Sequence, residues 1–421
     1  MEKDLTQIKA SRYIVRNILD NGDVLFLSTV SGSLIKLTKQ KAIAFDQSKW
    51  EAFSCEEIDQ LLRMSFLCQC DELDAILVSH KKAVESIPKQ PLGVTILTTS
   101  ACNARCGYCF EKGINTQTMS LETAFGVEQY LLKEHKGNSV HIGWFGGEPL
   151  LNTRVIDHIS NFLTEHDIDF TSSMISNGFL IDQCSEEQLK KWNLKRIQIT
   201  LDGIFEEYNV IKNYVYKDVD PFSKVISNIQ RLLSIEIPVS IRINYNPSDI
   251  LNAKKTLKFV YDKFKNDKNL SVYFANIVAP DILSPLELKP NPCVELYNLL
   301  IEFGYTKSTK DIGIKPKRVA CGIHNNYFVV NPDGTLLKCE HMVSKKEEFV
   351  GNILEGVTNP EAYSKWVSPD LPYTECLDCV FLPCCHGNCK ANAISYKKEL
   401  VCLPIKNCIQ DIMKSYYERR N

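Results

Sequence analysis

The chain has 421 residues, of which 44% are hydrophobic and 24% charged, with a formal net charge of −2. This balance is typical of globular domains and excludes a disordered, collagen-like or low-complexity protein. The charge gives no field that attracts polyanions, so we expect neither a nucleic-acid partner nor a membrane surface as partner. No apolar run approaches the ~18 residues of a membrane span, and the charged N-terminus lacks the apolar core of an export signal, which predicts a cytoplasmic location.

Residues 1–85 are predicted to form a small α+β domain. Three short apolar runs, separated by Asn-Gly and Ser-Gly turn dipeptides, are the expected strands of an antiparallel sheet: 13–18, 24–28 and 33–37. A helix is expected at 56–64. The polar segment 79–93 contains two prolines and is expected to be a linker.

In residues 86–290, predicted strands alternate with predicted helices. The strands are expected at 94–99, 140–145, 170–175, 196–201, 239–245 and 271–277. The helices are expected at 120–135, 153–165, 185–192, 221–234 and 251–264. Such alternation predicts a parallel sheet with right-handed crossovers, either open and doubly wound or a barrel. In both architectures the active site lies at the carboxyl ends of the strands.

Residues 291–421 lose this alternation. A helical connection with several prolines is expected at about 280–315. Two short strands joined by an Asn-Pro-Asp-Gly turn are then expected at 326–330 and 336–338. They lead into a cysteine-rich region and a last amphipathic helix at about 405–418.

The chain contains 17 cysteines. Thiols stay reduced in the cytosol, so many cysteines at short spacings indicate metal ligation or redox chemistry rather than disulfides. Three of them lie together, and nine lie between Cys321 and Cys408. The other five are expected to be buried core residues: Cys55, Cys68, Cys70, Cys184 and Cys293.

The three clustered cysteines, Cys102, Cys106 and Cys109, follow the first strand of the alternating region. Zinc sites usually combine one Cys-x2-Cys pair with a second, distant pair, and here no fourth ligand stands nearby. Three thiolates would instead leave one iron of a cubane 4Fe–4S cluster open to another molecule. A zinc loop remains the alternative.

With Tyr108 at its aromatic position, this Cys-x3-Cys-x2-Cys loop resembles the signature of radical S-adenosylmethionine (SAM) enzymes. In that family the open iron chelates the amino and carboxylate groups of SAM. The segment Gly146-Gly147-Glu148-Pro149 resembles the motif that contacts the SAM amino group, and Ile197–Gly203 resembles a fourth-strand signature of peptide-modifying members. The resemblance implies an α/β fold, a partial (β/α)6 TIM-like barrel.

The resemblance also implies which residues bind SAM, all of them at strand ends or on the fifth strand: Tyr108, Gly146, Gly147, Glu148, Ser176, Asn177, Arg242 and Asn244. Glycines let backbone approach a ligand closely, and a carboxylate can accept from an ammonium. After Gly203 the chain departs from the family, where a His and a basic residue often follow. Residues 204–214 are a candidate substrate-facing stretch, so substrate analogy across them is unsafe.

The C-terminal cysteines resemble the SPASM extension of peptide maturases, which houses two auxiliary 4Fe–4S clusters. By this resemblance Cys321, Cys339 and Cys389 hold the first cluster, with an open iron or with Cys384 or Cys408 as fourth ligand. The second cluster is implied to be held by the remaining motif cysteines: Cys376, Cys379, Cys385 and either Cys402, which we prefer, or Cys408. A pair of structural zinc ions is the alternative.

Two further expectations rest on the same resemblance. An acid follows the matching cysteine in sulfatase-maturing relatives and acts as a base, which makes Glu340 a candidate catalytic residue. A small strand-rich unit ahead of such a core resembles the domains that bind leader peptides by adding a strand to a sheet edge. A packing module that covers the barrel is the alternative for residues 1–85.

The predicted function is that of a radical SAM peptide maturase, similar to thioether-forming maturases and anaerobic sulfatase-maturing enzymes. It cleaves SAM to a 5′-deoxyadenosyl radical, which abstracts hydrogen from a peptide residue. The product is a thioether or other crosslink, or a formylglycine. An epimerised residue is a less favoured product, because epimerases often lack the full SPASM extension. The implied partners are a peptide or protein substrate and a low-potential electron donor such as ferredoxin or flavodoxin. The rival from another class is a noncatalytic zinc-binding protein that interacts with peptides.

Overall fold

The computed structural model describes residues 7–86, 90–265, 267–277, 284, 287–306, 314, 326–368, 373–387, 389–391 and 402–419. The chain divides into two compact units. The first unit is built from residues 1–85, 285–323 and 369–421, and the second from residues 86–284 and 324–368.

The strands in chain order are β1 (Lys9–Ala10), β2 (Ile14–Ile18), β3 (Val24–Ser28), β4 (Leu34–Leu37), β5 (Leu67–Cys68), β6 (Leu92–Thr99), β7 (Val140–Gly146), β8 (Phe170–Ser176), β9 (Leu194–Thr200), β10 (Val239–Tyr245), β11 (Leu270–Asn276), β12 (Tyr327–Val330), β13 (Thr335–Leu337), β14 (Gly351–Asn352) and β15 (Gly356–Val357). The described helices are α1 (Lys39–Asp46), α2 (Cys55–Arg63), α3 (Glu72–Ser86), α4 (Leu121–Glu134), α5 (Thr153–Glu165), α6 (Glu186–Lys191), α7 (Phe205–Lys212), α8 (Pro221–Ser234), α9 (Leu251–Phe264), α10 (Pro292–Glu302), α11 (Pro360–Val367), α12 (Leu382–Cys385) and α13 (Ile409–Glu418).

The first unit contains a three-stranded antiparallel sheet in the order β2-β3-β4 and a short β1-β5 pair. Helix α2 begins with a capping box, in which Ser54 and Glu57 each accept from the other's backbone N–H. One face of the sheet packs against α10, α12 and α13 in an apolar cluster that includes Leu25 and Ile412. The N-terminal and C-terminal parts of the chain therefore share one core.

The second unit is organised around a ten-stranded mixed sheet. Its order is β11-β10-β9-β8-β7-β6-β12-β13-β14-β15, and β6 to β11 pair in parallel with their neighbours in chain order. A doubly wound sheet reverses its strand order at a switch point. The order of the six parallel strands β6 to β11 does not reverse, which is the order of a barrel. The edge of β6 is paired in parallel with β12. The expected α/β fold with a parallel sheet is thus confirmed.

Most predicted elements lie within two residues of the observed ones, and helices α5, α8 and α9 and strand β10 have the expected bounds. Other elements differ from the expectation. Residues 79–86 belong to helix α3 rather than to a linker. Helices α1 and α7 were not foreseen. The last helix begins at Ile409, because residues Pro404–Asn407 form a 3-10 turn before it.

The five scattered cysteines do not share one environment. Cys184 and Cys293 are buried as expected, but Cys55 and Cys70 are exposed and Cys68 is half-buried. Cys55 opens helix α2 on the polar side of its first turn, and Cys70 lies in the turn after β5. Helix starts and turns of this kind lie at the surface, which accounts for the exposure of both thiols.

No helix in the described part of the chain is both long enough and apolar enough to span a membrane.

Candidate functional site

The carboxyl end of β7 lies against the start of the loop 102–109. The backbone N–H of Gly147 donates a 2.9 Å hydrogen bond to the carbonyl oxygen of Thr99, the last residue of β6. A Cβ atom on Gly146 would overlap the Thr99 carbonyl, and one on Gly147 would overlap the Ala101 carbonyl. The sequence predicted glycines that let backbone approach a ligand. In the structure their close approach is to the loop that carries the three cysteines.

Cys102, Cys106 and Cys109 are all half-buried in this loop. The sulfur of Cys102 accepts from the backbone N–H of Ala104 at 3.4 Å and from the side-chain amide of Asn177 at 3.9 Å. The pKa of the Cys102 thiol is raised to about 11, mainly by burial and also by the negative charges of neighbouring groups, while the hydrogen bond from Ala104 acts in the opposite direction. The loop alone therefore keeps this thiol protonated, and a bound cation would stabilise the thiolate instead.

A buried ion pair supports the loop. The ammonium of Lys212 lies 2.7 Å from a carboxylate oxygen of Asp202, and the two side chains are 3% and 4% exposed. The Tyr108 hydroxyl donates to Asp202 and accepts from Lys212 at 3.0 Å. Burial by itself would lower the pKa of Lys212, but Asp202 holds it well above its usual value. The backbone carbonyl of Lys212 also accepts from the N–H of Arg105, so this residue holds the loop at two points.

Lys212 is a site residue that the sequence reasoning missed. It lies on α7, within the stretch after Gly203 that departs from the family pattern. Tyr208 and Lys212 are four residues apart, and both are buried. A helical reading of 205–212 would have placed them on one face beside Asp202. The departing stretch therefore helps to hold the cysteine loop.

Glu148 is fully buried, and its carboxylate accepts three hydrogen bonds. The donors are the Ser176 hydroxyl at 2.8 Å and the backbone N–H groups of Asn177 at 2.8 Å and Leu150 at 3.2 Å. Burial raises the pKa of Glu148 to about 7, although these hydrogen bonds act in the opposite direction. The structure thus brings Glu148, Ser176 and Asn177 together at the ends of β7 and β8.

Arg242 and Asn244 lie on one face of β10, as the alternation predicted. The Arg242 guanidinium donates a 2.8 Å hydrogen bond to the Asn244 side chain. The backbone N–H of Asn244 donates to the Asp202 carboxylate at 3.1 Å. Asp202 therefore connects the fifth strand of the barrel order to the Lys212–Tyr108 network.

Two buried polar atoms near the loop have no hydrogen-bond partner within the described residues: Nδ2 of Asn103 and Oε1 of Glu111. Asn103 is 2% exposed, while its Oδ1 accepts from Asn177 at 2.7 Å. Leaving such an atom unpaired costs about 1–3 kcal/mol, so buried polar atoms nearly always have partners. Three thiols beside an unpaired buried amide are a donor set that fits an iron–sulfur cluster.

The cysteine segment after β13 lies in the same unit as this loop. Cys339 is buried, and Glu340 is half-buried at the start of a 3-10 turn. The ring of His341 packs on Phe110, with ring centroids 4.5 Å apart. Phe110 follows Cys109 directly and is 45% exposed, and no pattern in the sequence predicts its contact with His341. Glu340 is therefore one residue from a side chain that touches the cysteine loop.

In the first unit, four cysteines line one cavity: Cys376, Cys379, Cys385 and Cys402. We refer to it as the four-cysteine cavity. Its volume of about 70 Å³ exceeds the ~10–15 Å³ that one water molecule needs. The pKa of the Cys376 thiol is raised to about 11, mainly by burial and also by Cys385, Cys379 and Cys402, so the four thiols are close enough to interact. The ammonium of Lys406 donates to the Cys402 sulfur at 3.5 Å.

Cys408 and Cys384 lie elsewhere, in the apolar cluster against the N-terminal sheet. The Cys408 thiol donates to the Ile405 carbonyl at 3.6 Å, and a hydrogen bond with Cys293 together with burial raises its pKa. The Cys384 thiol donates to the Phe381 carbonyl at 3.3 Å. Of the two residues considered for the last ligand of the second cluster, Cys402 is the one that lines the four-cysteine cavity.

The residues expected to hold the first auxiliary cluster are distributed over both units. Cys389 is half-buried in the first unit, and Cys339 belongs to the second. Cys321 lies outside the described residues. Among the residues that are described, no three His, Cys, Asp or Glu side chains are arranged around a single metal ion, and no two cysteines form a disulfide.

Comparison with known proteins adds to this geometry. The sequence profile of the Radical SAM superfamily matches residues 96–260. Over 366 residues the chain is 25% identical to the radical SAM cyclopropyl synthase TigE of Paramaledivibacter caminithermalis, an alignment that covers 76% of this chain and 72% of that protein.

Two solved structures have a similar fold. The structure of anSMEcpe with bound AdoMet superposes with a TM-score of 0.61 at 20% identity, covering 78% of this chain and 97% of that one. The structure of Streptococcus suis SuiB bound to precursor peptide SuiA superposes with a TM-score of 0.51 at 16% identity, covering 92% of this chain and 97% of that one. At these identities the likeness concerns the fold alone.

The matched region begins within β6 and contains β7 to β10, the loop 102–109 and the Glu148 and Asp202 networks. The profile, the strand order and the three-cysteine loop thus agree. Residues 96–260 therefore form a radical SAM domain, and the family of this domain implies SAM and a 4Fe–4S cluster as cofactors.

Proposed function

We propose that this enzyme modifies a peptide or protein substrate and uses auxiliary iron–sulfur clusters to do so. The observation that carries the proposal is the four-cysteine cavity, a second group of thiols besides the loop 102–109. Two neighbours in fold support it, because each has been solved with a bound peptide: anSMEcpe with the Cp18Cys peptide and SuiB with the precursor peptide SuiA. The product we propose is a thioether or another crosslink within the peptide.

In this proposal Cys102, Cys106 and Cys109 hold the catalytic 4Fe–4S cluster, and its fourth iron is left for SAM. When bound, the cluster and SAM supply the radical that abstracts hydrogen from an unactivated carbon. The residues proposed to contact SAM are Tyr108, Gly146, Gly147, Glu148, Ser176, Asn177, Arg242 and Asn244. Their hydrogen bonds to one another support this role, because groups that already hold each other need little reordering when a ligand binds.

We propose the four-cysteine cavity as the second auxiliary site, with Cys402 as its last ligand. Cys321, Cys339 and Cys389 are proposed for the first auxiliary site. Such clusters accept an electron from the substrate or hold a substrate sulfur. A cytoplasmic location is consistent with both sites, because reducing conditions keep thiols available as ligands. The electron needed for SAM cleavage is proposed to come from ferredoxin or flavodoxin.

Glu340 is proposed as the base that removes a proton from the substrate. Its support is the contact between the neighbouring His341 and Phe110, since Phe110 adjoins the catalytic loop. Glu340→Gln is expected to leave SAM cleavage intact and to remove product. A matched control is Glu347→Gln, on the exposed side of the 3-10 turn Lys346–Glu348. Full product formation by Glu340→Gln would contradict the assignment.

The N-terminal sheet is proposed to bind a leader segment of the substrate. At one edge of the sheet, the outward carbonyl of Arg16 in β2 already accepts from the Gln410 side chain at 2.8 Å. The other edge is strand β4, so an added peptide strand would pair there. Replacing Lys36 of β4 with proline, which cannot donate a backbone hydrogen bond, tests this edge by the affinity for the substrate peptide.

The experiment that tests the proposal as a whole is the iron, sulfide and zinc content per chain after anaerobic reconstitution. Three 4Fe–4S clusters predict about 12 iron atoms with matching sulfide. About four would leave the catalytic cluster and contradict the auxiliary ones. Zinc without sulfide would favour the noncatalytic zinc-binding alternative. Replacing Cys102, Cys106 or Cys109 with alanine is expected to abolish SAM cleavage.

The enzymatic alternative is a sulfatase-maturing enzyme that makes formylglycine. The fold similarity to anSMEcpe favours it as a second candidate. Neighbouring genes and product mass separate the two: a sulfatase substrate and formylglycine on one side, and a short precursor peptide and a crosslink on the other.

A further inference from the structure

Lys406 places a positive charge on the wall of the four-cysteine cavity. Its ammonium donates a hydrogen bond to the Cys402 sulfur at 3.5 Å, and its side chain lines the cavity together with the four cysteines. The side chain is half-buried, so water screens the charge only in part. Within the described residues, the structure records no carboxylate in an ion pair with Lys406.

The local fold holds this side chain in place. Lys406 belongs to the 3-10 turn Pro404–Asn407, and its backbone N–H donates to the Leu403 carbonyl at 3.0 Å. The Pro404 carbonyl accepts from the Asn291 side chain at 3.0 Å, which ties the turn to the start of α10. Ile405 is 4% exposed in the apolar cluster. The ammonium is therefore presented to the cavity by an anchored backbone.

The two lysines that stand beside cysteine sites differ in charge balance. Lys212 is paired with Asp202, so the net charge of that buried pair is zero. The positive charge of Lys406 is not neutralised by such a pair, and its ammonium donates a hydrogen bond to the sulfur of Cys402. Hydrogen bonds to sulfur and nearby charges are the means by which a protein sets the reduction potential of an iron–sulfur cluster. A cation beside the cluster therefore stabilises its reduced, more negative state. Glu375 also lines the cavity, but it forms no ion pair with Lys406 among the described residues.

We propose that Lys406 sets the reduction potential of the cluster in the four-cysteine cavity, by a charged hydrogen bond to the sulfur of Cys402. This inference rests on the proposed function, because it takes the cavity to hold a 4Fe–4S cluster. One-electron reduction adds one negative charge to the cluster, and the electron comes from the proposed low-potential donor. Lys406 keeps its proton throughout. It is a positioning residue, since it acts through a ligand and does not touch the substrate.

The test is a potential measured by redox titration with electron paramagnetic resonance detection. The full-length chain with Cys102, Cys106 and Cys109 replaced by alanine removes the catalytic cluster from the spectrum. When Cys376 is also replaced by alanine, the paramagnetic resonance signal that disappears is assigned to the cluster in the four-cysteine cavity. The compared variants are Lys406→Met, Lys406→Gln, which keeps an N–H donor without charge, and Lys406→Arg.

The matched control is Lys414→Met. Lys414 lies on α13 in the same unit and pairs with Asp20 at 3.1 Å, away from the residues that line the cavity. The Lys414→Met substitution removes one positive charge from the chain, as Lys406→Met does. A general effect of net charge would therefore shift both variants equally.

We expect Lys406→Met and Lys406→Gln to disfavour cluster reduction about tenfold or more, which is a potential lower by about 59 mV or more. Lys406→Arg and Lys414→Met are expected to change the reduction equilibrium less than about threefold. If the Lys406→Met variant fails to bind iron, the reduction potential of the Lys406→Gln variant alone tests the proposal.

A Lys406→Gln potential equal to that of the unsubstituted lysine would overturn the inference, and so would an equal shift in Lys414→Met. These outcomes differ from a failure of the proposed function. If no signal depends on Cys376 in the chain that retains Lys406, the cavity holds no such cluster and the auxiliary site itself is wrong.

Discussion

The ammonium of Lys212 lies 2.7 Å from the carboxylate of Asp202, with both side chains almost fully buried and both bonded to Tyr108. Tyr108 stands between two of the three loop cysteines, so this pair connects the loop to the end of β9. A buried charge that loses its partner is strongly destabilising, whereas an intact pair contributes little net stability. Replacing either Lys212 or Asp202 by an uncharged residue is therefore expected to destabilise the protein.

Lys212→Met is expected to lower the free energy of unfolding by about 3–5 kcal/mol, because it leaves Asp202 buried without a counter-charge. Urea unfolding of the metal-free protein measures the change. The double variant Asp202→Asn/Lys212→Met should recover part of the loss. Lys255→Met, which removes an exposed pair with Glu207, is the control and should change stability by less than about 1 kcal/mol. Equal losses in the single and double variants would show that the two charges are not coupled.

Gly147→Ala is expected to destabilise the metal-free protein by about 2–3 kcal/mol, because the added Cβ would overlap the Ala101 carbonyl. The matched control is Gly107→Ala, within the cysteine loop, where an added Cβ meets no atom within 4 Å. Thermal unfolding of both variants gives the comparison. A Gly147→Ala protein as stable as Gly107→Ala would mean that the contact between the end of β7 and the loop is easily relaxed.

The stability of the metal-free protein should depend on pH through Glu148. Its pKa of about 7 in the folded protein lies above the ordinary value of 4.5, because burial disfavours the charged form. Between these values the folded protein holds a proton that the unfolded chain has released. Stability therefore falls as the pH rises from about 4.5 to 7, by at most about 3 kcal/mol, and then levels off.

Glu148→Gln removes this titration, and its unfolding free energy should vary less with pH over the same window. The variant is expected to be less stable at low pH, because an amide cannot accept from all three donors that the carboxyl group meets. Urea unfolding at several pH values measures both effects. The same slope in both proteins would assign the pH dependence to another group.

Cys402→Ala and Cys408→Ala should differ in iron content. Cys402 lines the four-cysteine cavity, so its loss is expected to remove about four iron atoms per chain. Cys408 lies in the apolar cluster beside Cys293, so its replacement should keep the iron and lower stability by about 1 kcal/mol. Loss of iron in Cys408→Ala with retention in Cys402→Ala would reverse the ligand assignment.

The barrel elements could be predicted because each carries a local signal. Strands β6 to β11 are apolar runs of the right length, and helices such as α8 begin with a capping Asp and a proline. The helix α7 was missed because its sequence, FEEYNVIK, has a weak periodic signal and begins at Phe205, which has a positive φ of 48°. That helix carries Lys212, so the support of the loop was missed with it.

The sequence by itself determined the family, the three-cysteine loop and the strand ends at which Glu148, Asn177 and Asp202 lie. These features are local, since spacing along the chain is enough to define a metal-binding loop or a strand end. Only the tertiary structure decided that Lys212 pairs with Asp202, that Gly146 and Gly147 pack closely against the backbone before the cysteine loop, and that Cys402 rather than Cys408 lines the cavity. Each of these depends on contacts between segments far apart in the chain, and burial and charge pairing at such contacts are set by packing that no short motif encodes.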